Sequence, residues 1–277
     1  MGYGSYATIG DVKGVLGITA TTDDTVIRKM CEASSRAIDQ YTNRFFYALT
    51  ETKYFDGAVK LWLPDLLSIT TLKTDENGDN TYENTLTATT DYHLYGHGLE
   101  DAYNVYPKIY AVINPSGSYS SFANGIRKGV EIAGLWGYGD GISATPYVVD
   151  TTITEDLTAG ESAIDVTAVT NLSAGNTILI NTEQYYIYSI STLTLTVECG
   201  VNGTTQAIHT NGASIYIYQY PADIRQACID LAVSFYQNRG KQGLKEEEIG
   251  DYRYVMKDDV LRNILDDSIK SYRRLRA

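Results

Sequence analysis

The residues with most chemical potential are few, and each can be weighed by its spacing. His93 and His97, with Asp91, Glu100 and Asp101 close by, offer the imidazole and carboxylate ligands that a transition metal takes. A helix would put both imidazoles on one face, but Gly96 and Gly98 interrupt any helix there, so the spacing predicts a polar loop. The run Gly137-Tyr138-Gly139-Asp140-Gly141 has the glycine density of a phosphate loop, yet no Lys-Ser/Thr pair and no helix directly follow it. A strand exit fits it better. Cys228 falls on the apolar stripe of a predicted helix, as a small core residue and not a nucleophile. His209 stands in a predicted turn without a nearby Cys or carboxylate, and Asn171-Leu172-Ser173 and Asn202-Gly203-Thr204 read as turns. No Ser, His and Asp arrangement stands out, and the sequence predicts no enzyme, no metal and no cofactor.

The elements around these residues are better marked. Residues 220 to 240 read as a complete helix. Pro221 suits its first position, Asp223 its first turn, and Gly240 a left-handed close. Ile224, Ala227, Cys228, Leu231, Ala232 and Phe235 recur every three and four residues, and Ile224, Cys228, Leu231 and Phe235 are the predicted core anchors. Near the start, Thr8 and Asp11 form a capping box before a short helix ending near Gly17. Thr22, with Asp23 and Asp24, opens a longer helix with Val26, Ile27, Met30, Ala33, Ala37, Ile38 and Tyr41 on its apolar face. From Phe45 the period changes toward two, with turns at Asp56-Gly57 and Asn77-Gly78. Residues 152 to 218 are all strand and turn, the pattern of a small sandwich or barrel. The final helix is predicted from Asp258 to Leu275, with Arg273, Arg274 and Arg276 at the negative end of its dipole.

The expected fold class is therefore α+β: a helical host domain with a β-hairpin-rich region, plus an inserted all-β sandwich or barrel. The host occupies residues 1–150 and 220–277, and the insert 151–219. The chain has 277 residues and is 43% hydrophobic, enough for a substantial core. Its net charge of −12 argues against general affinity for nucleic-acid phosphates. No Lys or Arg lies between Lys128 and Arg225, whereas half of the basic residues lie from Arg225 onward. Three separated cysteines fit a reducing compartment better than a disulfide framework. The first residues lack a signal-peptide pattern and no apolar run is long enough to span a bilayer, so folding in a cytoplasm and no membrane partner are expected. Twenty-four tyrosines against five phenylalanines suit half-buried surfaces such as subunit contacts.

A resemblance rests on the order of several short stretches. These are Ile9-Gly10-Asp11-Val12-Lys13, Tyr41-Thr42-Asn43-Arg44 and Lys53-Tyr54-Phe55-Asp56-Gly57, followed by Leu61-Trp62-Leu63-Pro64 and Ser68-Ile69-Thr70. Later come Asp91-Tyr92-His93-Leu94-Tyr95, Gly129-Val130-Glu131-Ile132, Gly137-Tyr138-Gly139, Pro221 to Ala227, and Tyr236 to Arg239. In this order they resemble the head-tail connector (adaptor) proteins of tailed bacteriophages. Residues 151 to 219 depart from that pattern and look like a small β module found in phage structural proteins.

The resemblance implies a structural virion protein, made in the bacterial host cytoplasm and located in the neck. It implies a ring of about twelve copies below the portal protein, touching the next neck or tail component and extending a channel through which DNA passes without specific binding. An acidic chain agrees, since each basic contact with phosphate would add drag. Tyr272, Arg273, Arg274 and Arg276 are the expected portal-docking residues. The rival reading is a β-rich binding module, glycan-binding or adhesin-like, using tyrosines near 185 to 188 and 216 to 218.

Overall fold

The first helix, α1 (Ile9–Leu16), starts at the expected cap. Thr8 Oγ1 accepts the Asp11 N–H at 3.1 Å, and the Asp11 carboxylate accepts the Thr8 N–H at 2.9 Å. In the computed structural model, which describes residues 4–97, 105–240, 246–249, 252–255 and 260–274, Gly17 closes this helix at φ 67°. Helix α2 (Asp24–Thr42) has Asp23, not Thr22, at its N-cap, and Asp23 makes no capping bond. Its carboxylate accepts from the Tyr236 hydroxyl, while Asp24 pairs with Lys13 at 2.7 Å and ties α2 to α1. Asn43 ends α2 in the left-handed region.

Six strands follow in the first sheet: β1 (Leu49–Phe55), β2 (Lys60–Thr74), β3 (Asn84–Leu86), β4 (Tyr92–Gly96), β5 (Lys108–Ile113) and β6 (Val130–Trp136). Their order is β1-β6-β2-β5-β4 with β3 on β2, all antiparallel. Strand β2 runs through Pro64. A register shift between Trp62 and Leu66 takes Pro64, which has no N–H to give, out of the ladder with β5. A Cβ on Gly57 would lie 1.7 Å from the Ala123 carbonyl, so only glycine lets the loop before β6 cross the β1–β2 turn.

The second sheet also has six strands: β7 (Tyr147–Thr152), β8 (Ala163–Asp165), β9 (Thr177–Ile180), β10 (Glu183–Ser191), β11 (Thr194–Cys199) and β12 (Ser214–Tyr218). The order is β7-β12-β9-β10-β11-β8, and the sheet curls until its edges meet at an Ile153–Val166 bridge. Ile164, Ile178, Ile180, Ile187, Leu195 and Ile215 fill its core.

The protein is thus mostly β. It has two antiparallel six-stranded sheets, and its described helices are α1, α2, α3 (Ala222–Gln237) and α4 (Val260–Ile269). This corrects the expected α+β class of a helical host domain carrying an inserted β module. Caps and stripes are local and easily seen, whereas pairing of β1 with β6 joins segments far apart in sequence and leaves no local mark. The second sheet is also bonded to its surroundings: Gln184 Nε2 donates to Ala48 O at 3.1 Å, the Tyr218 hydroxyl to Phe46 O at 2.9 Å, and Ile9 N–H to Ala174 O at 3.0 Å.

The helices share one core. Ile224, Cys228 and Leu231 of α3 are buried against Val12, Ile27, Cys31, Ile38 and Phe46. Phe235 is only half-buried and outside that cluster, and Tyr236 occupies the buried place instead. Helix α4 stops at Ile269 and a 3-10 turn covers Lys270–Tyr272, so Arg273 and Arg274 lie past the helix and not in its last turn. Asp258, Asp259 and Arg276 fall outside the described residues. Strands β13 (Glu246–Ile249) and β14 (Tyr252–Val255) pair with each other as a hairpin.

Candidate functional site

Stretches scattered through the sequence converge where α2, β2, the β6 exit and the C-terminal segment meet. The left-handed turn at Asn43 redirects the chain so that Arg44 points inward, and Arg44 Nη1 lies 2.5 Å from Asp65 Oδ1. Both side chains are nearly sealed, at 7% and 6% exposure. Arg274 approaches the same carboxylate at 3.7 Å, donates from Nη2 to Leu63 O at 2.8 Å, and gives its backbone N–H to Thr42 O at 2.8 Å. Two guanidiniums therefore share one buried carboxylate. Breaking such an arrangement by removing the anion is far more costly than any net gain from forming it.

Aromatic rings close the junction. The Tyr138 ring lies 5.3 Å from the Arg44 guanidinium, and its N–H reaches Phe45 O at 3.0 Å. Tyr272 stands edge-on to Phe46 and Tyr138 at 5.7 and 5.4 Å, and its hydroxyl reaches Asp223 at 3.4 Å. Burial pushes the Tyr272 hydroxyl up to about 12 and raises that of Tyr138. Burial also lowers His97, helped by Arg44. Arg273 remains exposed, its guanidinium 5.7 Å from the Tyr41 ring. Of the expected docking residues, Tyr272 and Arg274 thus have internal partners, and Arg273 faces solvent.

The second polar centre was not visible in the sequence. Glu183 is fully buried, and its carboxylate accepts from the Tyr185 hydroxyl at 2.8 Å, Gly200 N–H at 3.0 Å and Ala207 N–H at 2.8 Å. His209 Nε2 lies 3.1 Å from it, and Asn181 contacts Nδ1 at 3.0 Å. His209 therefore has a carboxylate partner after all, supplied from twenty-six residues away, and the group pins the loop after β11 to β10. Cys228 is buried, with its thiol pushed up to about 11 by burial and its Sγ 3.4 Å from Ser35 Oγ. The tyrosines invoked for a binding face are largely interior: Tyr185, Tyr186 and Tyr218 are buried. Asp75, Asp79 and Glu83 have carboxylate oxygens within 4.8 Å of one another, and Asp75 accepts from the backbone N–H groups of Asn77, Gly78 and Asn80.

No family model matches this chain, and no curated protein does. Among solved structures, it is similar to one described as "Neck of empty GTA particle computed with C6 symmetry". That likeness, to a chain of a gene transfer agent neck, covers 97% of this chain and 90% of the other at 10% identity and a TM-score of 0.28. An overlap this loose carries no argument about the fold. No described helix is long and apolar enough to cross a membrane.

Proposed function

We propose that this chain is a structural, non-catalytic protein of a phage-like neck. It forms a ring coaxial with the portal, extends the DNA channel and presents a surface to the next component. One observation carries the reading: three of the stretches on which the adaptor resemblance rests, Tyr41–Arg44, Leu61–Pro64 and Gly137–Gly139, become neighbours in space. Thr42 and Arg44, Leu63, Tyr138 and the C-terminal Arg274 meet around Asp65. These stretches then share one structural task, fixing the helices to the first sheet. The acidic net charge suits a conduit for DNA, because phosphate meets little that would hold it.

The test is to image particles carrying a tagged copy of the chain. A ring of label between portal and tail is expected, and label on capsid faces or fibre tips overturns the reading. In the portal-docking part of the proposal, Arg273 is the residue to change. Deleting residues 271 to 277 also removes the internal contacts of Tyr272 and Arg274, so loss of docking could reflect loss of folding. Arg273→Glu leaves those contacts alone and should lower occupancy on isolated portals. Unchanged occupancy and salt resistance assign docking to another element.

A further inference from the structure

We propose that the outer face of the first sheet around Lys60 and Trp62 receives the acidic β13–β14 hairpin of a second copy of this chain. This deepens the ring reading and rests on it. Trp62 is 63% exposed, and its β5 partner Tyr110 brings its ring centroid within 5.3 Å. Tyr110 in turn stacks on Tyr95 of β4, its register partner, at 5.0 Å. Lys60, one pleat away, holds its ammonium 4.2 Å from the Trp62 ring centroid and 3.7 Å from that of Tyr110. Neither of the two cross-strand rows, Lys60–Val112–His93 and Trp62–Tyr110–Tyr95, contains an acidic residue.

Lys60 differs from its neighbours in the sheet. Lys53 pairs with Glu51 and Lys73 with Glu131, whereas Lys60 has no carboxylate partner among the described residues. The rings fix the position of its charge without neutralising it. An aromatic patch around a placed cation has the composition of an interface centre, and its complement is an acidic segment.

The same chain supplies one. Strand β13 carries Glu246, Glu247 and Glu248, and among the described residues its hairpin joins neither large sheet. A two-stranded hairpin alone is marginal in water and gains from a surface to lie on. Copies with a net charge of −12 also repel one another unless opposite charges meet at the contact. Because the receiving face and the hairpin are different surfaces, the contact is head-to-tail, the type that closes into rings.

The test uses particles assembled with the full-length chain carrying photoreactive p-benzoylphenylalanine in place of Trp62. Illumination should give a covalent dimer of this chain whose linked peptide comes from residues 246 to 255. A cross-link to another protein, or to a different part of a second copy, overturns the proposal. Lys60→Glu and Glu247→Lys should each lower incorporation about tenfold, and together they should restore most of it. Failure of the pair to recover also overturns it, as does a saturable glycan affinity lost in Trp62→Ala, which would give the face to a sugar. The ring reading fails separately, and takes this proposal with it, if wild-type particles contain no ring of the chain.

Discussion

Replacing Asp65 by Asn keeps the side chain's size and removes the one charge that balances two guanidiniums. Arg44 and Asp65 are 7% and 6% exposed, so water cannot take over the lost interaction. A buried charge left unpaired in this way costs about 3–5 kcal/mol, and the Arg44 pair at 2.5 Å should supply most of it. Arg274 adds little through Asp65, being 3.7 Å away and 33% exposed. Its bond to Leu63 O is worth about 1.5–3 kcal/mol by itself, so Arg274→Ala should cost less than Asp65→Asn. Against a typical total of about 5–15 kcal/mol, the Asn variant loses a large share of stability. The assay is urea unfolding followed by fluorescence, with hydrogen exchange at the Arg274 N–H, which is bonded to Thr42 O at 2.8 Å. A midpoint loss below about 1 kcal/mol in Asp65→Asn would refute the buried-pair reasoning. A second check is Arg44→Met with Asp65→Leu, which removes both charges and should cost less than Asp65→Asn alone.

Burial pushes the Asp39 carboxyl up to about 6, against the lowering pull of Arg36 and the Tyr6 hydroxyl. The folded state then holds a proton that the unfolded state has lost, so this group's stabilising effect is full below about pH 4 and fades as pH rises to about 6. A displacement from 3.8 to about 6 is worth ~3 kcal/mol, and Asp39→Asn should remove that slope from the difference in stability curves; an identical slope contradicts the assignment. Leu231→Ala, fully within the helical core, should cost about 2–5 kcal/mol, and Phe235→Ala clearly less; equal losses would mean that Phe235 belongs to the core. Glu183→Ala leaves the Gly200 and Ala207 N–H groups and the Tyr185 hydroxyl without their acceptor, at about 3–5 kcal/mol, and should speed hydrogen exchange in the loop from Gly200 to Ala207. Unchanged exchange there would show that the loop is held by its other contacts.

Local signals in the sequence were translated into local structure. The Thr8–Asp11 box is made by the two hydrogen bonds its residue types imply, and the stripe on α3 buries Ile224, Cys228 and Leu231. The starts of α2 and α3 differ from the expected ones by one residue. Asp23 is taken by the Tyr236 hydroxyl, and Pro221 sits at the cap and not inside the helix. The share of sheet was not legible, because hydrophobic alternation identifies a strand without naming its partner. Lys53 and Ile132 face each other across β1 and β6 with no sequence feature in common. The buried partners of His209 were hidden for the same reason.

The basic C-terminus shows that charge segregation is visible in sequence while the internal partners of individual charges are not. A cluster of arginines in an acidic chain suggests a helix end offered to a partner, and composition cannot distinguish an external carboxylate from an internal one. Here the internal one exists: α4 stops early, the 3-10 turn through Tyr272 brings the chain back onto the first sheet, and Arg274 is used on Leu63 O and Asp65. Lys60 illustrates the converse. Its type and position in the sequence are ordinary, and only the sheet register reveals that it stands above two rings with no described acid beside it. Under the proposed ring role, the informative charges are those left without a described partner after folding, and finding them requires the fold.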